Sequence, residues 1–416
     1  MPVAGVSWYE AAAYAEYAGN QLPTIYHWYR AAEPRITPYI ALASNFGGKG
    51  AAKVGAHQGM GPFGTYDMAG NVKEWCWNET DDGKRFILGG GWNEPIYTFT
   101  NPEARSPFDR SAANGFRCAR YASPPSEAVL SPRRREFRDY TKEKPVSDDA
   151  FRVVRSMYAA ERGELQAKVE SVDDSSMYWR KEKVSYRAAY GRERIPAYFF
   201  VPKNFSPPFQ AVVYVPTASA LNMTSSENPE GMQRLDFVIR SGRVVLYPVY
   251  QGTYERRVRG ASDASRTPRQ VGIQQFQDLA CSIDYLESRP EIDRGKIAYC
   301  GGSMGARLGS IVLALEDRFK AGVLIDGGFH LTSKPIEIDE FSFAPRVKVP
   351  VLMLNGRYDF TFPLETSQKA MFRALGTPPQ HKRHVVLETA HNVMPLRHEV
   401  IREVLNWLDR YLGPVR

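Results

Sequence analysis

A chain of 416 residues is long enough for two or three domains, since single cores rarely grow beyond about 250–300 residues. The apolar share of 43% and charged share of 24% are those of an ordinary soluble globular protein. No apolar run reaches the roughly 18 residues that span a bilayer, so a helical membrane protein is excluded. Part of the net charge of +8 is local, in Arg133, Arg134, Arg135 and Arg138 beside Pro124, Pro125 and Pro132. No groove-reading motif or stacking aromatic ladder accompanies this run, which reads as a solvated linker and not as a nucleic-acid patch.

In chain order, the first element is a helix that Ser7 caps, with Glu10 as its capping-box partner, running through EAAAYAEYAG to Gly19. A second short helix follows Pro23-Thr24 through Trp28 and Ala32, and the rest of residues 1–120 reads as turns and short strands. Residues 121–150 are rich in Pro, Ser and charge and read as a linker. Asp148-Asp149 then opens a helix with Phe151, Val154, Met157 and Tyr158 on one face. The runs around Gly191, KVSYRAAY and RIPAYFFVP, form a hairpin.

Six short apolar runs follow: AVVYV (211–215), VVLYPVY (244–250), KIAYC (296–300), GVLID (322–326), VPVLMLN (349–355) and HVVLE (384–388). Helical segments at 273–288, 304–316, 364–375 and 396–412 lie between them. This alternation predicts an α/β layered fold with a mostly parallel, doubly covered sheet over residues 151–416.

Within it, IAYCGGSMGARLGSIVLALE reads as strand, glycine-rich corner and helix, with Ser303 at the corner. A lone G-x-S-x-G is a weak signal; this context makes it a nucleophile turn. Bulky residues at Gly301 or Gly305 would collide with the flanking strand and helix. The helix that follows aims its free N–H groups at the site of a developing oxyanion. A serine hydroxyl needs a base, and the base needs a carboxylate to orient it. Of the seven histidines, His27, His57, His330, His381, His384 and His398 are poorly placed, whereas His391 follows an apolar run and lies in the loop ETAHNV. Asp359 stands just past VLMLN and a Gly356 turn. Ser303, Asp359, His391 is the chain order this sheet topology produces. Asp326, ending GVLID, is the rival acid, with a structural turn role as its expected part.

One oxyanion donor should be the N–H of Met304. The other should come from the loop PTASALN after AVVYV, where Thr217 and Ala218 are the candidates. Tyr250, Tyr254, Phe329, Phe360, Phe362 and Met394 flank the expected strand ends and are candidates for an acyl pocket, against a plain core role. The polar stretch 222–234 is either a cover over the site or a solvated loop.

The motifs GGSMG, NGRYDFTFP and ETAHN resemble α/β-hydrolases of the dienelactone-hydrolase and acetyl-esterase type. Members of the former proper use cysteine as nucleophile; here the position is Ser303, and Cys300 is three residues early, within the strand. In residues 1–120, PVAGVSWYEAAAYAEYAGNQLPT, GPFGTYDMAGNVKEW, GGGWN and GFRCAR resemble the formylglycine-generating-enzyme, or sulfatase-modifying-factor, family. That resemblance implies a smaller, irregular α+β domain related to C-type lectins. The family's copper-binding cysteine segment is here NEPIYTFTNPEARSPF (93–108), which holds no cysteine, so oxidase chemistry is not expected. The resemblance also implies a structural calcium site at Asp67, Gly70, Val72 and Glu74, against a turn-bracing role for the two carboxylates. The chain starts at the family's PVxGVSW motif, so the expectation is either the carboxy-terminal part of a longer polypeptide, resembling bacterial fusions of a protein kinase, this fold and a hydrolase, or a shortened relative. No kinase motif is present in this chain.

These readings converge on a serine carboxylesterase acting on small-molecule esters without a required cofactor. A prolyl-oligopeptidase-type peptidase and a regulatory or binding module are the alternatives. The four cysteines form no CxxC pair. They read as buried free thiols of a reduced, cytoplasmic chain, with a single Cys76–Cys118 bridge as the alternative.

Overall fold

The computed structural model describes residues 1–34, 38–46, 48–94, 96–100, 102–133, 138–159, 163–257 and 267–415. Arg134 and Arg135 of the basic run lie outside them. Contacts divide the chain into two compact units, Met1–Glu136 and Phe137–Arg416.

In the first unit, helices α1 (Trp8–Tyr17) and α2 (Ile25–Ala32) pack beside a small sheet. The sheet holds β1 (Lys73–Glu79), β2 (Arg85–Leu88), β3 (Glu103–Arg105) and β4 (Asn114–Gly115), in spatial order β3-β2-β1-β4. The Ser7–Glu10 capping box forms as the sequence indicates: Ser7 N–H donates to Glu10 Oε2 (2.8 Å) and Glu10 N–H to Ser7 Oγ (3.3 Å). Such a cap stabilises a helix start by about 1 kcal/mol. Trp8, Ala11, Ala15, Leu22, Trp75 and Ile87 form the core here. Both tryptophans satisfy their indole N–H groups on main-chain carbonyls, Trp8 on Cys76 and Trp75 on Val6. A one-turn helix, α3 (Glu127–Leu130), closes the unit. All four cysteines are free thiols, with Cys76 buried and Cys118 exposed, so the bridge between them does not form.

The second unit begins inside the stretch read as a linker. Arg138 pairs with Asp339 (2.7 Å) and Glu143 (2.7 Å), and Tyr140 is buried between Phe329 and Phe341. Charge composition cannot show such distant partners, which is why this segment reads as solvated. Helix α4 (Asp148–Ser156) follows, capped by Ser147; it buries Phe151 and Val154 but ends before Met157, which is exposed.

The remaining elements alternate strand and helix from β8 onward. They are β5 (Lys168–Asp173), β6 (Trp179–Arg187), β7 (Arg194–Pro202), β8 (Phe209–Val215), α5 (Asp236–Arg240), β9 (Val244–Pro248), α6 (Pro268–Ser288) and β10 (Ile292–Gly302). Then come α7 (Met304–Leu315), β11 (Ala321–Ile325), α8 (Glu340–Phe343), β12 (Val351–Gly356), α9 (Lys369–Ala374), β13 (Lys382–Leu387) and α10 (Arg397–Leu412). The nine strands form one sheet in the order β13-β12-β11-β10-β8-β9-β7-β6-β5. From β9 to β13 all neighbours are parallel; β7, β6 and β5 extend the other edge antiparallel.

The parallel strands read as unbroken apolar runs because both faces are covered. In β8, Ala211, Val213 and Val215 join one core with Leu279, Ile283 and Leu286 of α6 and with Val312 and Leu313 of α7. Val212 and Tyr214 point the other way, to Val238 and Ile239 of α5 and to Val400, Val404 and Trp407 of α10. That two-residue period is what turns one strand into a wall between two layers. It also brings the carboxyl ends of β10, β11, β12 and β13 to one rim, where open α/β sheets hold their ligands.

Candidate active site

The rim is built around a strained serine. Ser303 joins β10 to α7 with φ 47° and ψ −100°, a left-handed backbone that a non-glycine residue adopts at a cost of about 1–3 kcal/mol. Neighbouring backbone holds it there: Ser303 N–H donates to Ile325 O (2.7 Å) and Gly305 N–H to Pro216 O (3.1 Å). A Cβ at position 305 would lie 2.1 Å from Val215 O, so only glycine lets α7 start this close to β8.

Ser303 Oγ lies 2.9 Å from His391 Nε2, and His391 Nδ1 lies 2.9 Å from Asp359 Oδ2. An ionised carboxylate only accepts, so Nδ1 carries the proton and Nε2 is free to take one from Ser303. Asp359 is buried, and its other oxygen accepts the Phe362 N–H (2.9 Å), which fixes the carboxylate plane. Gly356 permits this arrangement: a Cβ there would sit 1.8 Å from Ala390 O, so the loop carrying His391 lies directly on the turn carrying Asp359. Burial pulls the imidazole's proton affinity down. The charge and hydrogen bond of Asp359, with help from Asp326, outweigh it, and the net is a pKa above the ordinary histidine value although Arg234 opposes the rise.

Met304 N–H and Ala218 N–H have no acceptor among the described residues. Thr217, the other candidate, is a correction: its N–H is taken by Glu230 Oε1 (2.7 Å), while its hydroxyl accepts from Ser219 N–H (3.2 Å). Cys300 is buried in β10, and burial pushes its thiol up to about 12, which leaves it an inert packing group.

The six aromatic and methionine candidates separate. Phe362 is beside the imidazole, ring centroids 5.7 Å apart, and Phe360 is half-buried next to Asp359. Tyr250, Tyr254 and Phe329 are wholly interior. Tyr250 donates to Tyr214 O (3.0 Å), and the Tyr254 hydroxyl meets Tyr247 (2.7 Å) and the Glu230 N–H (3.0 Å). Met394 is packed among Val393, Val400 and Val404. Strand-end position alone does not distinguish a lining residue from one turned inward. Nor is 222–234 a free cover: Ser226 is buried on Glu255, and Arg234 is buried beneath the rim.

Arg234 and Asn392 escaped the sequence reading of the site. Arg234 donates from Nη2 to Asp326 Oδ2 (3.1 Å) and to Asn392 Oδ1 (3.3 Å). Asp326, weighed as a rival acid, instead accepts the Val393 N–H (3.1 Å), and the carboxylate at His391 Nδ1 is that of Asp359. Its position at a strand end was legible; the arginine that meets it, 92 residues away in the chain, was not.

Residues 1–122 match the family model of the sulfatase-modifying factor enzyme 1-like domain, and residues 195–391 that of the dienelactone hydrolase family. The chain joins an FGE-sulfatase domain to a dienelactone hydrolase domain.

The chain is 39% identical over 83 residues to "Serine/threonine-protein kinase pkn1" of Chlamydia pneumoniae, a match covering 18% of this chain and 13% of that protein. It is 30% identical over 159 residues to "Inactive C-alpha-formylglycine-generating enzyme 2" of Bos taurus, covering 30% of this chain and 53% of that protein. The chain thus spans about an eighth of the kinase and about half of the formylglycine relative. Protein YtaP of Bacillus subtilis is 26% identical over 258 residues, covering 52% of this chain and 85% of that protein. Among solved structures, "Acetyl xylan esterase from Paenibacillus sp. R4" superposes with a TM-score of 0.48 at 19% identity, covering 64% of this chain and 93% of that one. Among the described residues, no helix is long and apolar enough to cross a membrane.

In the FGE-sulfatase domain the two carboxylates of the expected calcium set have protein partners. Both oxygens of Glu74 accept from Arg117 (2.6 Å each), and Glu74 Oε2 also accepts the Trp28 indole N–H (2.7 Å). Asp67 Oδ2 accepts the Gly55 N–H (2.8 Å). Gly70 donates its N–H to Gly89 O, and Val72 is buried. A guanidinium is thus seated on Glu74, and this ion pair fills a bracing role at the turn.

Proposed function

We propose that the dienelactone hydrolase domain is a serine carboxylesterase of small-molecule esters. One observation carries the reading: hydroxyl, imidazole and carboxylate form a continuous chain of 2.9 Å contacts at the sheet rim. Ser303 Oγ attacks the ester carbonyl while His391 Nε2 takes its proton. Asp359 keeps the imidazole in the Nδ1–H tautomer and stabilises the imidazolium. The N–H groups of Met304 and Ala218 hold the oxyanion. His391 returns its proton to the departing alcohol, and the acyl-enzyme is left. Water then enters, gives a proton to His391 and attacks the acyl carbon, which releases the acid and regenerates Ser303. No group beyond these residues and water is needed to balance the reaction. The four free thiols fit a reducing, cytoplasmic setting.

The test is a fluorophosphonate probe with p-nitrophenyl acetate turnover. Labelling that maps to Ser303, and loss of both labelling and turnover in Ser303→Ala, supports the reading; an unlabelled serine with intact turnover refutes it.

A further inference from the structure

The residues after His391 are pinned in succession, and the pins lead to one buried ion pair. Asp326 Oδ1 accepts the Val393 N–H (3.1 Å), and Arg234 Nη2 bridges Asp326 Oδ2 (3.1 Å) and Asn392 Oδ1 (3.3 Å). Asn392 Oδ1 in turn accepts the Met394 N–H (3.1 Å). Asp326 is wholly buried and Arg234 nearly so.

The residue before Asp326 matters equally. Ile325 O accepts the Ser303 N–H at 2.7 Å. The dipeptide at the end of β11 therefore fixes the nucleophile with one residue and the base's loop with the next. Asp326 reaches that loop by a left-handed backbone, φ 59°, which an aspartate tolerates but does not favour.

Stability does not explain the pair. Burying two charges is costly, and an apolar pair of similar volume often serves a core as well or better. Arg234 Nε is buried with no partner among the described residues, a further cost. What the pair does is hold residues 392 and 393 at a fixed height above β11.

We propose that Arg234 and Asp326 are positioning residues for His391: a buried ion pair that sets the imidazole against Ser303 without touching substrate. This rests on the esterase reading of the site. Asp359, Asp326 and Arg234 all act on the charge of the imidazole. Asp326→Asn keeps an oxygen for the Val393 N–H but removes a negative charge, and takes from Arg234 the counter-charge it is hydrogen-bonded to. Both changes make His391 harder to protonate, so the acid limb of the rate profile moves to lower pH.

The experiment compares the full chain with Asp326→Asn, Asn392→Ala and Ser303→Ala on p-nitrophenyl acetate across pH. Asn392 is exposed, so its truncation leaves the core closed. Expected are kcat losses of about tenfold in both loop-side variants, consistent with a small misplacement of a catalytic group. KM should stay within about twofold, since ground-state binding is untouched. The acid limb should move down in Asp326→Asn alone. An unchanged kcat in Asn392→Ala, or an unmoved limb in Asp326→Asn, overturns the proposal while an inert Ser303→Ala leaves the esterase standing. An active Ser303→Ala removes the esterase itself. Should Asp326→Asn fail to fold, Asn392→Ala decides alone.

Discussion

Glu230 accepts the main-chain N–H of Thr217 at 2.7 Å. A carboxylate thereby occupies one of the two amides that the loop after β8 offers at the nucleophile, and Ala218 is left as the donor. Glu230 also anchors the loop, because its own N–H donates to the buried Tyr254 hydroxyl (3.0 Å). Glu230→Gln keeps an acceptor for Thr217 and should stay within about threefold of the parent kcat, whereas Glu230→Ala frees the loop and should lose about tenfold. Steady-state kinetics on the two variants check this; equal losses would show that the contact does not hold the donor.

Ser303→Ala should lower kcat on the order of 10⁶-fold, as for other triads in which nucleophile and base act as a unit. Single-turnover assays with p-nitrophenyl acetate read it directly.

The pH profile follows from the imidazole. His391 must be neutral to accept the serine proton. Its pKa in the fold lies above the ordinary 6.5 through Asp359 and, less, Asp326, against the pull of burial. Activity should therefore fall as pH drops through a value above 6.5, and not below it. The acid limb of kcat/KM measures this in the free enzyme.

Gly305→Ala would drive a Cβ to 2.1 Å from Val215 O, between backbone segments that cannot yield like a side chain. A loss on the order of 2–3 kcal/mol is expected in urea unfolding of the hydrolase domain. Activity should fall with it, since Met304 N–H moves with the same turn.

In the FGE-sulfatase domain, Glu74→Gln removes the charge that Arg117 and Trp28 share. Loss of charge-assisted hydrogen bonds should cost about 1.5–3 kcal/mol. Added calcium or a chelator should leave the melting temperature of the parent chain unchanged, because the ion pair and not a cation braces this turn. A calcium-dependent shift in thermal scans would contradict that.

The parallel strands and the three triad positions were legible in the sequence because each is a local pattern: an apolar run ending in a turn, with the chemistry at the end. β5 was not, because KVESVD is exposed at all six positions and carries no buried face to betray a strand. The Thr217–Glu230 and Arg234–Asp326 contacts were hidden for another reason. The first closes within one connection, between residues 13 apart, the second joins residues 92 apart that meet only once the sheet has ordered its strands, and neither polar pair imposes a period on the chain. Two of the aromatic candidates failed likewise: Tyr250 and Tyr254 follow β9 as a pocket residue would, but their hydroxyls are claimed from inside.

Tyr254, Ser303 and Asp326 all hold positive φ, and they follow β9, β10 and β11 in turn. Conformational tension is thus concentrated along one margin of the domain, where the proposed chemistry sits, and the strands of the open sheet behind it hold no positive φ among the described residues. Glycine at position 303 would release that tension and leave a protein harder to melt than the parent and unable to turn over an ester. Selection for thermal robustness alone would be expected to erode this margin first.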